Sequence, residues 1–155
     1  MGRMQRQKGL RFEYVVRDKL REAGWDAYRV PSSGAAEGFK GDVVATKGSR
    51  KYVFECKSRQ SFFRDVYSLY TAEGNRETKS LRLRYPDGKL VALASSLEEL
   101  LEPALDQHFY RTDGFLKASK RGANRLRKME EWVKGCDFLV IKDNRQWPLW
   151  IRYYK

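Results

Sequence analysis

Three residues of one short stretch carry chemistry: Asp42, Glu55 and Lys57. Phe54-Glu55-Cys56-Lys57 reads as a strand, and period-two alternation puts Glu55 and Lys57 on one face, with Phe54 and Cys56 on the other. The preceding strand begins at Asp42, and a turn at Lys47-Gly48-Ser49-Arg50 brings Asp42 back beside Glu55. Two carboxylates and one ammonium then share a patch of sheet. Carboxylates with water and a substrate phosphate suit Mg2+, a hard cation. Such an ion polarises the phosphate and lowers the pKa of bound water. A lysine beside it can orient the attacking water or stabilise the charge that develops on phosphorus. The same trio also describes a solvated face with a weak ion pair.

Neighbouring elements add polar residues to that edge. A first helix is expected over about residues 5–23, where Phe12, Val15, Val16, Leu20 and Ala23 recur at helical spacing and Gly24 is a stop. Glu13 falls at the edge of this apolar stripe, with Arg6 and Arg17 just past it, so the carboxylate sits at the rim of the core beside a basic face. A strand over 26–30 then carries Arg29 into a loop containing Ser33, ahead of strands at 42–46 and 51–58. Taken singly, Arg29 is a surface strand arginine and Ser33 a turn serine.

Beyond residue 60 the sequence reads as helix–hairpin twice. The first unit is a helix from Phe62 to about Thr71 and strands at 81–85 and 90–94 around Pro86-Asp87-Gly88. Ser95 to Glu98 has capping-box spacing for an acidic helix between the units. The second unit is a helix over about 117–134 and strands at 137–142 and 150–154. On that helix Lys117, Arg121, Arg125 and Lys128 form a basic stripe beside Gly122, Leu126, Met129 and Val133. A fixed row of cations can track phosphates, and it also describes a solvated face.

The stretch from Lys8 to Arg59, KGLRFEYVVRDKLREAGWDAYRVPSSGAAEGFKGDVVATKGSRKYVFECKSR, resembles the archaeal-type Holliday junction resolvases, a PD-(D/E)XK nuclease family also found in viruses and phages. The shared pattern is a Lys-Gly leader, a helical Glu, an Arg before a Ser-containing loop, an Asp, and Glu-x-Lys. The resemblance implies a restriction-endonuclease-like α/β core, a mixed and mostly antiparallel central sheet flanked by helices. It implies Glu13, Asp42 and Glu55 at a Mg2+ site where Mn2+ substitutes, Lys57 as the catalytic lysine, and Arg29 and Ser33 in the active site or on DNA. Arg6, Lys8 and Arg17 join the basic stripe of 117–134 as candidate DNA contacts. The implied function is a homodimer that resolves four-way DNA junctions by paired nicks, with no small-molecule substrate. Tyr14 stands where the family usually has Arg, and Gly41 where it has Pro. The 120–154 unit resembles the rest of the family core, which makes 61–116 an insertion or elaboration of a single domain; in the rival alignment, 62–94 supplies that core. Another PD-(D/E)XK endonuclease, or a branched-DNA-binding protein without turnover, would carry much of the same pattern.

Composition agrees with these classes. A chain of 155 residues with 41% hydrophobic and 14% aromatic residues fits one folded domain. Its formal charge of +12 favours a polyanionic partner, although it could equally serve solubility. No apolar run is long enough to cross a membrane, and the basic N-terminus lacks the apolar stretch of a signal peptide, so a cytoplasmic setting is expected. Cys56 and Cys136 are too few for a disulfide framework or a four-ligand zinc site. His108, the single histidine, excludes a metal site built on histidines.

Overall fold

The computed structural model describes residues 3–31, 41–62, 64, 67, 80–84, 90–101, 109–111 and 120–154. Helix α1 spans Arg3–Glu22. It docks through Phe12, Val16 and Leu20, each at most 4% exposed. Burying such a side chain contributes about 1.5–3 kcal/mol. Val15, expected in the same stripe, is 41% exposed. It lies about 100° around the helix from the middle of the buried arc, too far to reach the sheet.

The end of α1 is a Schellman cap. The Trp25 amide donates to the Leu20 carbonyl and the Gly24 amide to Arg21, both at 3.0 Å, with Gly24 at φ 93. Trp25 then packs in the same core cluster as Leu20. The cap sends the chain straight into β1 (Asp26–Arg29), which pairs antiparallel with β2 (Val43–Lys47).

Strand β3 (Arg50–Arg59) pairs back on β2 with Lys47 opposite Arg50. The turn is thus two residues, with Gly48 at φ 62 in the place a type II′ hairpin gives glycine. The remaining described elements are β4 (Ser80–Arg84), β5 (Leu90–Ala94), α2 (Leu97–Leu101), β6 (Phe109–Arg111), α3 (Lys120–Val133), β7 (Phe138–Asp143) and β8 (Leu149–Tyr154). The described strands form one sheet in the order β1-β2-β3-β7-β8-β5-β4-β6. Only the β3–β7 and β4–β6 pairs are parallel, so the sheet is mixed and mostly antiparallel, as expected.

Both sheet faces are covered. Phe12, Val16 and Leu20 of α1 and Leu97 and Leu100 of α2 pack with Val43, Ala45, Phe54, Phe138, Val140 and Trp150. On the other face Met129 of α3 and Tyr67 pack with Leu139, Ile141, Leu149, Ile151, Val91 and Leu93. Alternation along β7 feeds both clusters, which is why Phe138 to Ile141 reads as a continuous apolar run. The 138–154 hairpin lies directly against β3, and the 80–94 hairpin adds to the far side of β8. The acidic helix starts at Leu97, and the carboxylate that reaches back to Ser95 is that of Glu99, not Glu98. Of the helix expected at 62–71, residues 62, 64 and 67 are described; 64 and 67 are helical, whereas Phe62, the expected start, lies in a bend before the helix.

Candidate active site

Asp42 sits just before β2 with its backbone held from both sides. Its carbonyl accepts from the Val30 amide, and its amide donates to the Phe54 carbonyl, each at 2.8 Å. Phe54 is also the register partner of Val43. Asp42 and Val43 therefore both face Phe54, and the ladder slips by a residue in the manner of a β-bulge, a device that re-aims side chains. The chain reaches Asp42 through Gly41 at φ 130, which the family's proline could not adopt. The next β3 amide, that of Cys56, finds the Asp42 side chain, donating to Oδ2 at 2.8 Å. Asp42 is thereby tied to the residue between Glu55 and Lys57.

On β3 the expected face is formed. Lys57 Nζ lies 3.4 Å from Glu55 Oε1. The ammonium also stands 5.5 Å from the centre of the Trp132 ring of α3. The other Glu55 oxygen is 3.8 Å from the Cys136 thiol. Glu13 reaches the same place from α1. Burial, then the Asp42 carboxylate, push its pKa up to about 7, with Arg29 and Lys57 pulling the other way. Burial and contact with Asp42 also raise Glu55, against the pull of Lys57.

These groups line one open cleft of about 730 Å³, with Glu13, Arg29, Asp42, Glu55 and Lys57 all on its wall. Arg6 and Lys8 line it too, and Lys8 Nζ donates to Asn144 Oδ1 at the β7–β8 turn. The Arg29 guanidinium lies over the Tyr14 ring at 5.3 Å, and Arg17 lies over the same ring at 4.7 Å. Tyr14 thus holds guanidinium groups where the family usually supplies one of its own. Arg17 also pairs with Asp18 at 2.8 Å and is not on the cleft wall.

The basic stripe of α3 is divided. Lys128 is exposed. Arg125 is half-buried and donates from Nη1 to the Phe62 carbonyl at 3.2 Å, so this guanidinium braces the fold and is not part of an outward row. Ser33, Lys117 and the Arg121 side chain lie outside the described residues.

The donor set fits a hard divalent cation. Burial, and then the neighbouring Asp42 carboxylate, raise both Glu13 and Glu55, and Glu13 Oε1 is buried with no hydrogen-bond partner among the described residues. Yet no three His, Cys, Asp or Glu side chains among the described residues are close enough to make a metal cage. Asp42 accepts from the Cys56 amide and Glu55 pairs with Lys57, so the expected trio shares one cleft without forming a cage there.

Sequence reasoning missed Arg59, Asn144 and Trp132. Arg59 lines the cleft and follows Lys57 by two residues, so strand alternation alone could have found it. Nothing in the sequence marked Trp132 or Asn144, which come to β3 and α1 through the tertiary fold.

A mixed sheet whose hairpin end presents two carboxylates and a lysine, with a third carboxylate from a helix, brings together the kinds of group that metal-assisted phosphodiester cleavage uses. The family model described as archaeal Holliday junction resolvase (Hjc) matches residues 4–69, which include Glu13, Arg29, Ser33, Asp42, Glu55 and Lys57. The match bears out the resemblance read from the sequence and supports a junction-resolving nuclease. The structure of Hjc from Archaeoglobus fulgidus, a Holliday junction resolvase from an archaeal hyperthermophile, aligns at 18% identity and TM-score 0.39, covering 94% of this chain and 75% of that one. A likeness that loose places no residue. No curated protein sequence matches the chain.

Proposed function

We propose that this chain resolves four-way DNA junctions as a homodimer, by paired nicks that depend on Mg2+, with Mn2+ able to substitute. The observation that carries this reading is the cleft in which Asp42, Glu55, Lys57 and Glu13 meet beneath basic walls. Asp42 and Glu55, with Glu13 behind them, are the groups that would hold the ion; one or two carboxylates completed by water and phosphate are what Mg2+ prefers. When bound, it polarises the scissile phosphodiester and activates water. Lys57 donates to the phosphoryl oxygens as charge builds there, or orients the attacking water. Arg29 holds a neighbouring phosphate, and Arg6 and Lys8 guide the DNA arm into the cleft. Ser33 serves the same site. Arg17, Lys117, Arg121 and Lys128 extend the phosphate contacts outward.

A two-fold dimer presents two clefts to a symmetric branched substrate, which suits paired nicks. The +12 charge suits the DNA partner. We read the chain as one nuclease domain in which 61–116 elaborates the family core, because the 138–154 hairpin lies against β3 and the 80–94 hairpin lies outside it. A cytoplasmic site of action fits a DNA substrate, and no helix among the described residues is long and apolar enough to cross a membrane.

The test is metal-dependent nicking of a synthetic four-way junction against linear duplex of the same sequence. Junction-selective nicks leaving 5′-phosphate and 3′-hydroxyl ends are expected. Equal cutting of both substrates points to another kind of DNA endonuclease, and binding without cutting points to a structural DNA-binding protein.

A further inference from the structure

The indole of Trp132 carries two cations. Lys57 Nζ lies 5.5 Å from the ring centre and the Arg59 guanidinium 4.7 Å from it. Both cations project from the same side of β3, two residues apart. Trp132 itself is held from behind by Phe62, with ring centres 5.1 Å apart, and by the α3 face of the core.

Arg59 is half-buried and lines the cleft, and it makes no ion pair among the described residues. Its Nη1 donates to the neighbouring Ser58 carbonyl at 3.0 Å. Burial lowers its pKa, with no carboxylate to offset the desolvation. A guanidinium taken partly out of water, set over an indole and lining a cleft, is fitted to an oxyanion that arrives with the substrate.

We infer that Arg59 binds a DNA phosphate next to the scissile one, and that Trp132 is a positioning residue that holds Arg59 and Lys57 as a two-cation clamp. The inference rests on the nuclease reading above. The indole face limits where both heads can go, so the clamp is set before DNA enters and little side-chain ordering remains for binding. Glu55 draws Lys57 from one side while Trp132 supports it from the other.

The experiment compares Arg59→Ala, Arg59→Lys, Trp132→Leu and Trp132→Phe with wild type and with Asp42→Asn. Three quantities are read: melting temperature, metal-free affinity for a four-way junction across a salt series, and single-turnover cleavage at saturating junction with Mg2+. Arg59→Ala is expected to flatten the log–log salt slope by about 0.9, one phosphate contact. Arg59→Lys keeps that slope but binds more weakly, having lost the planar fork. Trp132→Leu is expected to slow cleavage by about tenfold, the scale of a partly desolvated cation–π contact. Trp132→Phe, which keeps a π face, recovers most of the rate even if its melting temperature matches that of Trp132→Leu. A rate that follows melting temperature and not the aromatic face overturns the positioning role. A wild-type salt slope in Arg59→Ala overturns the phosphate contact. Either result with Asp42→Asn still inactive leaves the nuclease reading standing, whereas a wild type that cuts no DNA overturns that reading and the clamp together.

Discussion

The Cys56 amide donates to Asp42 Oδ2 at 2.8 Å. That bond ties the carboxylate at the mouth of β2 to the residue between Glu55 and Lys57, so the groups of the cleft are referenced to one strand.

Replacement of Asp42 by Asn keeps an oxygen able to accept from the Cys56 amide, so the fold is retained. Asp42→Asn and Glu55→Gln are each expected to abolish cleavage. Junction binding without metal survives or tightens, because a charge that repels phosphate is gone. Single-turnover cleavage and an EDTA binding titration check this.

Lys57 acts in the chemical step more than in affinity. One ammonium among many cations adds little to overall binding, while a donor aimed at developing charge is worth about 10²-fold or more in rate. Lys57→Ala is therefore expected to lower the single-turnover rate on that scale with a near-unchanged dissociation constant.

Glu13 makes stability depend on pH. Its pKa is raised from 4.5 to about 7 in the fold, so the stability linked to it is fully present below 4.5 and is lost as pH rises through about 7. Glu13→Gln is expected to melt higher than wild type at pH 8, with the gap closing toward pH 4.5. Melting curves in EDTA at both ends of that window measure it.

Gly24 at φ 93 closes α1, and a Cβ there would lie 3.4 Å from Lys47 Nζ. The left-handed backbone, more than the contact, sets the penalty. Gly24→Ala is expected to cost about 1 kcal/mol, read by denaturant unfolding, with the cleavage rate per folded molecule unchanged.

Arg125 and Lys128 separate bracing from DNA contact. Arg125→Ala removes a bond to the Phe62 carbonyl and is expected to lower stability by about 1 kcal/mol. Lys128→Ala leaves stability alone and flattens the salt slope of junction binding by about 0.9. Melting curves and salt titrations of the single variants resolve the two roles.

What could be read without coordinates was local. Glu55 and Lys57 share a face because strand alternation requires it, and Asp42 comes near them because a two-residue turn leaves the intervening chain nowhere else to go. Glu13 at the rim of the stripe followed from helical geometry. Helical spacing could not say which arc of α1 docks, so Val15 was grouped with Phe12 and Val16 although it is exposed. It could not distinguish Arg125 from Lys128 either, since both are basic and neighbours on one helix.

The rest was decided at a distance along the chain. Two helix–hairpin units had similar patterns, and only parallel pairing with β3 set the 138–154 hairpin beside the site. That pairing also brings α3 across β3 and Trp132 onto Lys57 and Arg59. The β7–β8 turn likewise brings Asn144 to Lys8. Periodicity describes one element at a time. Which aromatic ring meets which cation depends on how the elements pack, and that is a property of the whole sheet.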